Sequence, residues 1–170
     1  MSPAPVSADD LLARAAGYET LLEAVVADGA SIGFLHPMLP SEAAAYWRGV
    51  AAGLAVGDVL MWTAHDDDGP VGTIQLHPVG KPNGAHRAEV AKLMVHPRAR
   101  GRGLAKTLMA TAEQAAVELG RTLLVLDTAK DSLAEGLYRR LGWTEAGVIP
   151  GFALRSGGGA DATVVFWKRV

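Results

Sequence analysis

The apolar residues of this chain change period at Asp58, and that change limits the folds open to it. Before Asp58 they recur at helical spacing: Leu11, Leu12, Ala15, Leu21, Leu22 and Val25 form one series, and Ala44, Trp47, Val50, Ala51 and Leu54 another. Ser7 supplies an N-cap hydroxyl for the first helix and Asp9 and Asp10 its first-turn acids, with a break available at Gly17 and a stop at Gly29. Ser41 reads as the cap of the second helix, which runs to about Leu54. Beyond Asp58, residues 59–65, 71–79 and 87–96 are strand-like runs separated by turn-forming spacers, one built from Asp66, Asp67, Asp68, Gly69 and Pro70 and the other from Gly80, Lys81, Pro82, Asn83 and Gly84. They predict three neighbouring antiparallel strands. The chain then alternates: helix 103–119, strand 122–127, helix 132–141, and strands near 143–149 and 162–168. The reading is an α/β (α+β) chain with a mixed, largely antiparallel central sheet and helices on both faces.

At 170 residues the chain has the length of one domain, and residues 1–170 are read as such. Residues 1–5 read as a loose end. The connection at 29–40 is rich in Gly and Pro yet carries Ile32, Phe34, Leu35 and Met38, a composition that suits a segment lying over a site. A net charge of -2 offers no general field for nucleic acid, so an anion site has to be built locally. The absence of cysteine excludes disulfides, thiolate metal sites and a Cys nucleophile, and points to the cytoplasm. Neither an export signal nor a membrane span is expected. His36, His65, His77, His86 and His96 show no metal-ligand spacing, and the three aspartates of the first spacer form a turn rather than a calcium loop, so no metal is expected.

The densest chemical signal is the run Val95-His96-Pro97-Arg98-Ala99-Arg100-Gly101-Arg102-Gly103-Leu104-Ala105. It joins a strand end to a helix start through three arginines and two glycines. Helix N-termini expose N–H groups that lack partners, and glycines let a phosphate approach the backbone. There is no Gly-Lys-Ser/Thr, so a Walker loop does not fit, and the dinucleotide fingerprint lacks its third Gly and its acid. On this segment alone a basic turn before a helix is an equal reading. Ser132-Leu133-Ala134-Glu135 is a capping box at the start of the second helix of the alternating half. Period-two alternation puts Glu89 on the side of Ala91, Leu93 and Val95, and Asp127 ends the neighbouring strand, where functional groups of open sheets gather.

Arg98-x-x-Gly101-x-Gly103, following the strand Lys92-Leu93-Met94-Val95, resembles the coenzyme A motif of the GNAT superfamily of N-acetyltransferases. Tyr138-Arg139-Arg140-Leu141-Gly142-Trp143 resembles the superfamily's Tyr, three residues, Gly, aromatic signature. The segments at 29–34, 81–84, 87–90, 92–95 and 126–128 are further similar to the acetyltransferases that confer tabtoxin resistance. These resemblances imply the GNAT fold, acetyl-CoA as cosubstrate and a small-molecule amine as acceptor, a β-lactam amino-acid toxin in the narrower case. An acetyltransferase for another amine and a non-catalytic acyl-CoA-binding sensor are the alternatives. A homodimer is in keeping with the superfamily, whose first strand is in doubt here because the N-terminus is short.

By the same resemblance, Leu93, Met94 and Val95 offer backbone groups to the pantetheine arm, and Arg98, Arg100, Gly101, Arg102, Gly103, Leu104 and Ala105 hold the pyrophosphate. Ser132 is a cap with a secondary cofactor contact. Tyr138 is the candidate acid for the thiolate and also contacts the cofactor. Glu89 and Asp127 are candidate bases for the amine, and nothing in the sequence chooses between them.

Overall fold

The computed structural model of the protein describes residues 2–170; Met1, read with the loose N-terminal end, lies outside them. Seven strands form one sheet in the order β1-β2-β3-β4-β5-β7-β6. They are β1 (Ala4–Pro5), β2 (Leu60–Asp66), β3 (Gly69–Pro78), β4 (Arg87–Val95), β5 (Leu123–Ala129), β6 (Thr144–Leu154) and β7 (Ala160–Arg169). Every neighbouring pair is antiparallel except β4 and β5. The doubtful first strand is therefore present, reduced to two residues paired with Trp62 and Thr63, where a loose end was expected.

Helices α1 (Ala8–Ala13), α2 (Ala15–Ala27) and α3 (Pro40–Val56) bury Leu11, Tyr18, Leu21, Leu22, Val25 and Trp47 against one face of the sheet. Helices α4 (Leu104–Glu118) and α5 (Leu133–Arg140) cover the other with Leu104, Leu108, Met109, Ala112 and Tyr138. The adjacent residues Met61 and Trp62 enter different clusters, as alternation along β2 requires. Helix α4 comes close to β3 because Gly72 has no side chain: a Cβ there would lie 3.0 Å from Leu104 Cδ2 and 3.2 Å from the Met94 carbonyl.

Three local readings are corrected. The first helical series breaks at Arg14, not Gly17; Gly17 lies inside α2, where a Cβ would stand 2.9 Å from Pro70 Cδ. Helix α3 is capped at Leu39 rather than Ser41, because Pro40 fits the first turn without an N–H and the Glu42 carboxylate accepts from the Leu39 N–H at 2.7 Å. Strand β6 continues to Leu154, and a Gly-rich hairpin turn joins it to β7.

Candidate active site

Strands β4 and β5 pair only through Arg87–Leu123, Ala88–Leu124 and Glu89–Val125. Beyond Glu89 and Val125 they part, β4 staying on β3 as far as Val95 and β5 staying on β7 as far as Ala129. The sheet is thus split by a wedge whose two edges, 90–95 and 126–129, carry backbone groups with no partner across it. Unpaired strand edges invite a ligand's amides to complete the ladder.

A bulge at Lys92 changes which side chains reach each face. Gln75 opposes Ala91 and Thr73 opposes Met94, so Lys92 and Leu93 face the single residue Ile74, and Lys92 takes a left-handed φ of 53°. Alternation is reset there. Leu93 and Val95 pack on the α4 side, whereas Met94 is buried among α1–α3. Glu89 pairs with His77, whose ring bonds Gln75, whose amide in turn bonds Tyr46 of α3. Glu89 therefore faces the α1–α3 layer, and the shared face expected for it with Leu93 and Val95 does not exist. Asp127 faces the same way as Glu89, because Leu124 and Leu126 fill the opposite core. Both acids are exposed.

Asp127 receives the Thr163 hydroxyl, which stands 2.7 Å from Oδ2 and 2.9 Å from the Thr128 carbonyl. The Lys92 ammonium feels the charge of both acids. Burial lowers its pKa, and Asp127 and then Glu89 pull it back up. Burial lowers that of His77 as well, with Glu89 opposing. On the other face Tyr138 is 6% exposed and packs between Trp143 and Phe166, and burial together with Asp127 pushes its hydroxyl up to about 12. Tyr138 stays protonated at neutral pH, as a proton donor must.

The segment after β4 forms a single 3-10 turn, Pro97–Ala99, whose start is fixed by the Arg98 N–H donating to His96 Nδ1 at 3.1 Å. Gly101 and Gly103 both have φ of 75°, and a Cβ on either would meet nothing within 4 Å, so the space over this backbone is open. Leu104 is buried under the first turn of α4, and Ala105 is half-buried beside it. The three arginines differ. Arg98 makes a fork to both Asp66 oxygens at 3.0 and 2.9 Å, and Arg100 pairs with Asp28 at 2.5 Å. Arg102 has no ion-pair partner among the described residues. Two of the three charges thus fasten the loop to its surroundings. Arg98 also holds the Asp66 carboxyl below its usual range.

Ser132 caps α5 by accepting from the Glu135 N–H at 3.1 Å, but the Glu135 carboxylate returns to the Asp131 N–H at 2.5 Å, one residue earlier than a regular capping box. Asp131 is left-handed, with φ of 62°, which turns its N–H toward that carboxylate. Sequence reasoning missed Lys92, Tyr46, Gln75, His77 and Thr163. The signal available was the apolar connection at 29–40, which does lie at this site. Two surface hollows, of about 430 Å³ beside Arg14 and Pro70 and about 380 Å³ beside Thr122 and Trp167, lie away from the wedge.

A split sheet with a glycine-lined helix start at its mouth defines an acyltransferase-like class of fold. Residues 32–143 match the model of the acetyltransferase (GNAT) family, and the chain belongs to that family. It is 38% identical over 88 residues to human N-acetyltransferase 8B, a match covering 51% of this chain and 39% of the human protein, and 34% identical over the same length to the rat protein, covering 40% of it. The chain thus matches well under half the length of these curated relatives. The fold is that of an acetyltransferase of the GNAT family from Streptococcus pneumoniae, with a TM-score of 0.78, 16% identity and coverage of 99% of this chain and 98% of the other. It is also that of yncA from Salmonella typhimurium, solved with its cofactor acetyl-CoA, with a TM-score of 0.75, 18% identity and coverage of 99% and 93%. Among the described residues no helix is long and apolar enough to cross a membrane.

Proposed function

We propose that this chain, acting as one domain in the cytoplasm, transfers the acetyl group of acetyl-CoA to the amine of a small molecule. The observation that carries the reading is the wedge between β4 and β5, with two exposed carboxylates on one face and a buried, protonated Tyr138 on the other. The open backbone at Gly101 and Gly103, the first turn of α4 at Leu104 and Ala105, and the free Arg102 suit the pyrophosphate. Arg98 and Arg100 serve there by shaping the loop. The free edge at Leu93, Met94 and Val95 suits the amides of the pantetheine arm.

Acetyl transfer needs a neutral amine, a polarised thioester carbonyl and a proton for the departing thiolate. Glu89 or Asp127 takes the proton of the acceptor ammonium, directly or through water. Backbone N–H groups of the β4 edge polarise the carbonyl; as the C–N bond forms and the C–S bond breaks, Tyr138 protonates the thiolate, and the second proton shed by the amine nitrogen returns to Tyr138 through water. Ser132 acts chiefly by setting the start of α5, which carries Tyr138. The two acids beside the wedge, and a protonated Tyr138 that feels the charge of Asp127, support turnover rather than acyl-CoA binding alone.

For the acceptor we propose a small amine of the amino-acid type, a β-lactam amino-acid toxin in the narrower form. Its support is the resemblance of the segments at 29–34, 87–90 and 92–95, which meet around Lys92 and Glu89. Thiol release from acetyl-CoA, followed across a panel of amines and amino-acid antimetabolites that includes a tabtoxinine-type β-lactam, tests both levels. Release with that compound upholds the narrow form, and release with other amines only removes it. Cofactor binding with no release for any amine overturns the transfer reading.

A further inference from the structure

The connection between α2 and α3 is fastened at three points along its length. At its start Asp28 pairs with Arg100 of the loop before α4. Near its middle the Ile32 carbonyl accepts from Lys92 Nζ at 2.6 Å. Toward its end the His36 N–H donates to Ser156 Oγ at 2.7 Å, in the turn between β6 and β7. Those partners belong to the cofactor-side loop, the bulge of β4 and the far hairpin, so the connection runs as a strap over the α1–α3 face of the wedge.

The middle fastening is built with care. The Lys92 ammonium stands 5.7 Å from the centre of the Phe34 ring and 5.9 Å from that of Tyr46, and these two rings pack edge to face with centroids 5.1 Å apart. Gly33 leaves room for the ammonium, since a Cβ there would come within 3.3 Å of it. The Tyr46 hydroxyl is fixed in turn by the Gln75 amide at 2.9 Å. Lys92 also occupies a left-handed backbone position that Gly or Asn would fill with less strain. Local backbone energetics therefore argue against a lysine here, and its side-chain contacts are what the position retains it for.

We propose that Lys92 is a positioning residue of the acceptor side. Its ammonium fastens the strap across the wedge, so that Ile32, Phe34 and Tyr46 form the wall against which the acceptor amine meets Glu89 and Asp127. The inference rests on the acetyl-transfer reading for its acceptor, while the fastening itself does not. The competing role, an ammonium that binds an anionic group of the substrate, is disfavoured because a carbonyl and two aromatic rings already surround the charge.

Lys92→Gly and Lys92→Arg separate side chain from backbone, because glycine removes the fastening while relaxing the left-handed position. Hydrogen exchange of amides 30–36 is measured without ligand, and acceptor KM, kcat and acetyl-CoA affinity are measured with the best amine of the panel. In Lys92→Gly the exchange of the strap is expected to accelerate and acceptor KM to rise about 10-fold or more, with cofactor affinity held within about twofold and partial recovery in Lys92→Arg. Strap exchange and acceptor KM both at wild-type levels in Lys92→Gly overturn the proposal. Faster strap exchange in a protein whose wild type acetylates no amine upholds the fastening and overturns the transfer reading. Wild-type strap exchange in a variant that still turns over leaves transfer standing and removes the fastening.

Discussion

Three titratable side chains carry the proposed chemistry, and each has a distinct kinetic signature. Tyr138 is expected to act on the leaving thiolate only in the transition state, so Tyr138→Phe should lower kcat at least about 10-fold with little change in either KM. Equal kcat in the two proteins demotes Tyr138 to packing between Trp143 and Phe166. Burial raises the hydroxyl to about 12. A raised pKa keeps the proton on oxygen until pH approaches that value, so this group should produce no alkaline fall in kcat between about pH 6 and pH 10. For the carboxylates, Glu89→Gln and Asp127→Asn should diverge: the variant that loses the base falls in kcat and loses its rise with pH, while the other mainly raises acceptor KM. At least one should lose more than about 100-fold in kcat/KM, with acetyl-CoA binding intact by calorimetry. Asp127 accepts the Thr163 hydroxyl at 2.7 Å, whereas Glu89 pairs across the ladder with His77. Wild-type rates for both variants from about pH 6 to pH 9 would leave a water chain or the substrate's own free amine to suffice.

The loop between β4 and α4 is the element on which the proposed pyrophosphate seat depends. Gly103→Glu brings both a side chain and a negative charge to a left-handed position at the helix start and should abolish acetyl-CoA binding, whereas Gly103→Asn, tolerable at positive φ, should retain part of it. Equal affinity in Gly103→Glu and wild type refutes the pyrophosphate seat. Asp66→Ala tests the fastening of Arg98 by the sign of its effect. A clamp that shapes the loop predicts acetyl-CoA binding weakened a few-fold, while tighter binding would mean that Asp66 withholds Arg98 from the phosphates. This element was legible as a glycine-rich helix start following a strand, because its requirements are local. The partners of its arginines were not, since Asp28 and Asp66 lie far away in the chain and only the fold brings them to Arg100 and Arg98. The bulge was hidden for a related reason. Strict alternation is a sound rule until an extra residue enters a strand, and nothing in Lys92-Leu93-Met94 advertises the left-handed turn that moved Leu93 and Val95 away from Glu89. The helices and most strands were legible from periodicity, and their ends less so, as Arg14 and Leu39 illustrate.

At the scale of the whole molecule, the wedge that makes a site also weakens the sheet, because only three residue pairs join β1–β4 to β5–β7. Besides the shared core, one side chain of α4 ties the halves together. Glu113 accepts the Trp143 indole N–H at 2.9 Å and the Lys168 ammonium at 2.8 Å, and Lys168 also donates to the Leu141 carbonyl at 2.9 Å. Helix α4 packs on β2, β3 and β4, so these bonds fasten the C-terminal half to the N-terminal one across the seam. The Glu113–Lys168 pair is largely shielded, with side chains 20% and 24% exposed, and removing the acid leaves the indole N–H unpaired and the ammonium with only the Leu141 carbonyl. Glu113→Ala should therefore cost about 2 kcal/mol, and a loss of that size lowers Tm by about 4–8 °C in a chain of this length. Hydrogen exchange should rise first in β5, β6 and β7, because the half that loses its tie opens as a unit. On the proposed reading acetyl-CoA lies in the wedge and bridges the same seam, so ligand at about 100 times its dissociation constant should return about 2.7 kcal/mol, enough to offset the whole loss in Tm. A Glu113→Ala protein with unchanged Tm, or one whose exchange rises equally in both halves, would show that the seam is held by the sheet and core alone.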